Sequence, residues 1–568
     1  MSRNSLAFIL IPALLSLAMP GGATIIYVSG DQTGTWSADT VIVTAEVRVP
    51  PGQSLTILPG VEVLFQVYCK LIVDSAATLL AVGTAADSIR FDVLPPDTAW
   101  HGIRFKSASD SSRLEYCHLT HGRATGSGED DCGGAVYCSN SSPTISGNTI
   151  SDNFADFYGG GIYCGNNSNP TIVANIINRN RAAGGGGIYC DNSSPSIIGN
   201  TVSENDDGGI CCVSSSSPTI DGNTISENGG MLGGGIRCNN SSPTISRNTI
   251  SGNGAGGGGG ISCGSNSSPT IISNTIRGNS ASFGGGGGIY CDNSNPTISG
   301  NTISGNSAYD GGGIYCGGGS PTISGNTIIG NSAWGIGGGI YCGNNSSPTV
   351  VNCILWGNNL QQIFLESGVD LQATYCDIQD TLWQGIGNIS LNPLFVDSAN
   401  GDYHLQSTVG SYHGGLWLPD SLYSPCIDAG DPSSPFALEP MPNGGRVNMG
   451  FEGNAVEASL STSSSAPLPI AELPSEFHLY APYPNPFNPA TTISYTVAAA
   501  GRVQLVIYDL LGRQVGTLVD LNMAPGIYSA TWNAQNFASG IYFCRMSVRT
   551  PEGETRGFRQ TEKMVLLK

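Results

Sequence analysis

Lysine is almost missing from this sequence. Four occur in 568 residues: Lys70, Lys106, Lys563 and Lys568. With 42 acidic against 22 basic side chains the net charge is −20. No basic surface exists to neutralise a run of phosphates, which argues against nucleic acid as a partner. Charged residues of both signs make up only 11%, against about a quarter in ordinary domains. Charge this sparse excludes a disordered acidic chain. Long apolar runs are lacking too. The one candidate, Leu6 to Ala18, spans about a dozen residues, too few to cross a bilayer comfortably. It follows Arg3 and precedes Gly21-Gly22-Ala23, so residues 1–23 read as a secretory signal peptide. No transmembrane segment is expected in the mature chain. Histidine is absent from the repeats described next, and no segment there has the apolar spacing of a long helix.

What is abundant is glycine, 80 residues, and repetition. Nine prolines mark the period: Pro143, Pro170, Pro195, Pro218, Pro243, Pro269, Pro296, Pro321 and Pro348, spaced 23 to 27 apart. Each unit reads roughly G-G-G-I-Y-C, a short Asn/Ser turn, P-T-I-S, G-N, T-I-S, G-N and a variable loop. The apolar runs are short, β-branched and punctuated by Gly-Asn, which predicts short strands joined by tight bends. Isoleucines fall five apart, as in Ile145/Ile150 and Ile298/Ile303. Three short strands per unit make one turn of a parallel β-helix, and nine turns at about 4.8 Å each extend about 43 Å.

Strand alternation assigns the faces. If Ile162 points inward, so does Cys164, and Tyr163 points out. Cys138, Cys164, Cys190, Cys212, Cys238, Cys263, Cys291, Cys316 and Cys342 then form one internal column. A spacing of about 4.8 Å exceeds the Cβ separation a disulfide prefers, so the expectation is buried free thiols acting as small hydrophobes. Disulfides between neighbours and a soft-metal array are the alternatives; a stacked row without histidine gives no tetrahedral site. Asparagines recur in two more columns (Asn148, Asn200, Asn223, Asn248, Asn301, Asn326; and Asn153, Asn205, Asn228, Asn253, Asn306, Asn331). They are expected to take the left-handed bends or to bond one another along the stack.

Candidate chemistry is thin. The array 132–358 holds no lysine, five arginines and ten scattered acids, so no catalytic residue is assigned. The pair Asp206-Asp207 reads as a solvated turn. Glu129, Asp130 and Asp131 are weak metal candidates; no cofactor is expected beyond the calcium such a triplet would attract. Cys117 and His118 fall on opposite faces. The outward tyrosines Tyr137, Tyr163, Tyr189, Tyr290, Tyr315 and Tyr341 are the binding candidates: stacked and exposed, they would offer a flat platform for sugar rings.

The "GGGI…ISGN" repeats resemble right-handed parallel β-helix proteins of the pectate-lyase-like superfold, and the repeat of polymorphic outer-membrane proteins, over about Thr24 to Asn454. That resemblance implies a fold and leaves activity open, since β-helices carry lyases, hydrolases and adhesins alike. "SPCIDAGDP…NGGRVNMGFEGN" resembles the closing segment of secreted β-helix proteins. Further on, "YPNPFNPATTISYTV", "VIYDLLGRQVGTLV", "SGIYFCRM" and terminal "KMVLLK" resemble the type A sorting domain of type IX secretion cargo. This resemblance implies export across both bacterial membranes, often followed by cleavage and attachment at the cell surface.

The expected order is therefore signal peptide 1–23, N-terminal coils and cap 24–131, Gly/Asn/Cys-rich repeats 132–358, C-terminal coils and cap 359–454, linker 455–474 and sorting domain 475–568. The fold class is all-β: a right-handed parallel β-helix followed by a small antiparallel, immunoglobulin-like sandwich. The expected protein is secreted, extracellular or on the outer-membrane surface of a bacterium. Its role is structural, adhesive or polysaccharide-binding, with the type IX machinery as partner. A polysaccharide lyase or glycoside hydrolase on the same scaffold is the alternative.

Overall fold

A computed structural model describes residues 23–379, 383–461, 476–499, 501–523, 526–549 and 558–567. The expected signal peptide, but for Ala23, and most of the expected linker lie outside the described residues. The chain divides into two units. The first runs to Ala373; the second starts at Thr374 and takes in everything from Gln384. The described residues contain no α-helix, only strands and two 3-10 turns.

The first unit is the parallel solenoid. Each repeat supplies three strands, as in Ile162–Gly165, Thr171–Val173 and Ile176–Asn178. Each strand pairs in parallel with its counterpart one coil on, residue for residue: Ile162↔Ile188, Ile172↔Ile197 and Ile177↔Val202. The sheet built from the proline-led strands has 14 members, which at the usual strand spacing extends about 62 Å. Proline begins the strand because its missing N–H is tolerated there, while its carbonyl still accepts from the next coil, as in Thr171 N–H to Pro143 O at 3.1 Å. The later repeats add a fourth short sheet, Gly229–Leu232, Gly254–Gly257, Ser280–Ala281, Ser307–Ala308 and Ser332–Ala333. The sequence reading had placed a variable loop there.

Isoleucine columns fill the core; Ile145, Ile172, Ile197, Ile220 and Ile245 are all fully buried. Glycine sets how closely the coils approach. A Cβ on Gly235 would lie 2.6 Å from the Gly260 carbonyl and 3.0 Å from Ile250. In the earlier coils, where glycine is scarcer, Phe65 and Trp100 are fully buried and stack at 4.3 Å.

Both asparagine columns are buried and continuous. Asn248 is representative. Its Oδ1 accepts from the Asn223 backbone N–H at 2.8 Å and the Asn223 side-chain amide at 2.9 Å. Its own Nδ2 donates to Asn274 Oδ1 and to the Ile220 carbonyl, both at 2.9 Å. The columns are longer than expected: Asn175, Asn180, Asn274 and Asn279 belong to them as well. The left-handed bend falls on the residue before each asparagine and not on the asparagine itself. That residue is often glycine (Gly222, φ 63), yet also Ala174 (φ 54) and Arg247 (φ 53). A third ladder went unforeseen. Ser168, Ser193, Ser216 and Ser241 are buried, and each hydroxyl oxygen accepts the backbone N–H of the serine one coil earlier at 3.1 Å.

In the second unit, Phe395–Asp397 pairs with Asp402–Leu405 and Ser411–His413 with Leu416–Leu418, both antiparallel. Residues 455–461, at the start of the expected linker, are tied into this segment. The Ser459 hydroxyl donates to Leu405 O at 2.6 Å, and Leu460 N–H donates to Gly410 O at 2.8 Å. Beyond them, His478–Leu479, Ala490–Val497 and Gly526–Asn533 form one antiparallel sheet. Gln514–Met523, Gly501–Asp509, Gly540–Arg549 and Phe558–Leu566 form the other. Ile493, Tyr495, Leu505, Ile507, Trp532 and Met546 fill the core between them.

Replacing Asn248 by alanine strands the Asn223 amides and the Ile220 carbonyl in a dry core. At about 1–3 kcal/mol per buried orphan, Asn248→Ala is expected to cost about 3 kcal/mol or more in a guanidinium titration. A loss no greater than that of exposed Thr244→Ala would contradict the ladder's energetic role.

Candidate functional site

The nine cysteines of the column pair in register from Cys138↔Cys164 to Cys316↔Cys342. All are buried, and none is disulfide-bonded. Burial pushes the Cys138 thiol well above its usual range. Held neutral by that burial, the Cys138 thiol is a poor nucleophile.

The tyrosine column does point outward, but it is no platform. Tyr137 is only 2% exposed, and Tyr189 and Tyr341 are also buried. The rings lie flat on one another: Tyr137–Tyr163 at 5.1 Å and 2°, Tyr163–Tyr189 at 5.8 Å, Tyr290–Tyr315 at 5.0 Å, Tyr315–Tyr341 at 4.6 Å. The first stack is closed by the Arg104 guanidinium, 5.3 Å from the Tyr137 ring centre. The second ends on Phe364, 5.7 Å from Tyr341. Glycines make room for the rings; a Cβ on Gly285 would collide with Tyr315. A sugar ring needs an uncovered aromatic face, and within each stack the neighbouring rings cover most of them. This corrects the expectation of an exposed platform.

The acidic triplet sits on the 3-10 turn Gly128–Asp131. Lys70 Nζ lies 2.5 Å from Asp130 Oδ1, and Lys106 Nζ 2.8 Å from Glu129 Oε2. Asp131 accepts from the Cys132 thiol at 3.2 Å. Calcium there would have to displace two lysines, and among the described residues no three His, Cys, Asp or Glu side chains converge as a metal site. Beneath the turn, Arg104 is buried, with Nε on the His101 carbonyl and Nη1 on the Cys132 carbonyl. His101 Nδ1 meets the Tyr68 hydroxyl at 2.6 Å. Burial, then the charges of Arg104 and Lys70, lower His101 to about 3, so it stays neutral. This is the acid–base cluster on one face that the sequence did not reveal, because Lys70 and Asp130 are 60 positions apart. Its imidazole is closed to solvent, so as arranged no substrate atom reaches it. Cys117 is buried and His118 exposed, on opposite faces as expected. Asp206 faces Arg181 at 3.9 Å.

The exposed aromatics lie elsewhere. On the fourth short sheet, register continues from Ser307↔Ser332 and Ala308↔Ala333. Tyr309 and Trp334, the next residues along, are 55% and 66% exposed, with Phe283 at 91% and Met231 at 79%. The signal was present in the variable loops, as "SASF", "SAYD" and "SAWG", but each copy differs and so escaped a search for identity.

Residues 98–225, 186–337 and 259–395 match the right handed beta helix region family, together spanning more than half of the chain. The chain belongs to the right-handed β-helix family. Residues 481–555 of this β-helix protein match the secretion system C-terminal sorting domain. That domain marks cargo of the type IX machinery and places the protein outside the bacterial cell or on its surface. Its motifs interlock: Phe487 N–H donates to Val565 O at 2.9 Å, and Asn485 Oδ1 accepts from Val565 N–H at 2.8 Å. Solved structures similar to this chain include the periplasmic alginate epimerase AlgG, 14% identical over 62% of this chain and 84% of its own, with a TM-score of 0.36. Pectate lyase Pel9A is 14% identical over 72% and 87%, with a TM-score of 0.29. None of the curated proteins matches the chain. No helix among the described residues is long and apolar enough to cross a membrane.

Two outcomes follow. The nine column thiols of the β-helix should resist iodoacetamide in the folded protein, with half-exposed Cys69 alkylated first; peptide mapping that finds column cysteines modified before unfolding would contradict this. Glu439 and Glu452 are buried in the closing segment, where burial raises them to about 8 and about 7. Both favour the protonated form when folded. Between about pH 4.5 and 8 the folded state therefore holds protons that the unfolded state releases, and stability falls as pH rises. Glu439→Gln should flatten that fall in thermal melts across the same window; an unchanged slope would show that Glu439 does not titrate there.

Proposed function

We propose that this protein is an exported β-helical rod, held at the outer-membrane surface of a bacterium, with a structural or adhesive role. Its ligand is polysaccharide or another cell surface. The observation that supports this reading is how the array spends its polar groups. The asparagine and serine ladders bind coil to coil. The charges pair along the stack, Arg179 with Asp152 at 2.8 Å and Arg247 with Asp221 at 2.5 Å. The variable loops add exposed side chains such as Phe283 and Trp334, suited to contact rather than to proton transfer.

The purified secreted protein should be retained by immobilised polysaccharide or whole cells while releasing no new reducing ends and no unsaturated product. Turnover of any polysaccharide would replace the adhesive reading with the enzymatic one, in which the Lys70–His101–Arg104–Asp130 cluster would have to open.

A further inference from the structure

The fourth short sheet carries an exposed apolar strip that its neighbours do not cover. Met231 and Leu232 end its first strand, and Phe283, Tyr309 and Trp334 follow its last three. Trp334 N–H donates to Ala308 O at 3.1 Å, which sets Trp334 over Tyr309; Phe283 N–H donates to Gly256 O at 3.2 Å, which sets Phe283 one position further along, level with Leu232. The Tyr309 ring lies against Gly335, beside Trp334, where an added Cβ would sit 3.2 Å from ring carbon Cε1. Five strands at the usual spacing extend about 19 Å; the second, Gly254–Gly257, adds no large side chain, and the strip is at most two side chains wide.

Such a strip is too narrow for a stable protein interface, which needs about 800 Å² per partner. It fits a single extended chain. Exposed aromatic faces bind sugar rings through their apolar side, leaving the hydroxyls wet. Charge narrows the class further. Asp310 follows Tyr309, Glu227 and Asp207 lie in the neighbouring coils, and the array has no lysine. Acids outnumber arginines in residues 207–335, so an acidic glycan would meet a surplus of like charge.

We propose that this strip binds one chain of a neutral polysaccharide. The proposal rests on the adhesive reading above and gives that reading a ligand class and a location.

The test uses the full-length secreted protein in affinity electrophoresis through gels containing neutral glucan or mannan, or acidic polygalacturonate or alginate. Wild type should be retarded by a neutral polymer, with little dependence on salt. Phe283→Ser, Tyr309→Ser and Trp334→Ser should each weaken retardation roughly threefold to tenfold, the range expected for one aromatic contact. Trp334→Tyr should restore most of it. These positions are exposed, so unchanged melting temperatures should accompany the losses. Wild-type binding that survives the triple serine variant would overturn the strip and leave the adhesive reading standing. Retardation by acidic polymers alone, or by no neutral polymer, would overturn it too, and cell adherence would then judge the adhesive reading separately. Adherence to glycan-stripped cells that is lost in the triple variant would assign the strip to a protein and overturn the glycan proposal.

Discussion

A stacked parallel coil must bend its backbone several times per circuit, and each bend leaves peptide groups facing a core that water does not enter. Leaving them unpaired would cost about 1–3 kcal/mol each, repeated in every coil. Asparagine meets this need because its side chain is itself an amide, whose NH2 donates to two carbonyl oxygens and whose oxygen accepts two N–H groups. In this protein Asn223, Asn248 and Asn274 each accept from the coil before and donate to the coil after. The geometry tolerates no drift, so the spacing from core isoleucine to ladder asparagine stays at three residues, as in Ile145 to Asn148 and Ile150 to Asn153. The loops outside the ladders are free to vary, and the repeat length varies with them.

The same stacking governs the surface. Side chains at equal register are neighbours across one strand spacing, so like residues meet and either pack or repel. Tyrosine packs, which is why the outward column turns into two ring-on-ring stacks and not an open face. Some charges find the opposite sign in the next coil, as Arg247 does over Asp221. Contact with anything else is left to the loops, whose residues belong to no ladder.

Much of this was legible in the sequence because stacking converts periodicity into position. The inward isoleucine and cysteine columns follow from alternation alone. So does the outward direction of Tyr163, but alternation says nothing of whether Tyr137 and Tyr189 cover its faces. Asn175 and Asn274 were overlooked because "VAN" and "ISN" replace the usual "SGN", although the distance from isoleucine is unchanged. The clasp of Lys70 on Asp130 was illegible for another reason. Its partners lie in coils before the regular repeat begins, where no period places one residue over another.

The ends of the stack show what happens when repetition stops. One ladder closes on Cys353, whose sulfur stands where the next amide would be, 3.4 Å from Asn326 N–H. The other closes on Gln362, which reaches back to Asn358 at 2.7 Å. In the closing segment no neighbour of equal register remains, and the backbone turns to carboxylates. Glu439 accepts from Asn448 and Asn454 N–H, and Glu452 from Leu405 and Ser459 N–H. A carboxylate is the stronger acceptor but costs more to bury, and that cost appears as a raised pKa at both residues. An amide carries no charge to desolvate. The ladders of the array are therefore built from amides and hydroxyls, which carry no charge to desolvate, while the 439–452 segment relies on two carboxyl groups.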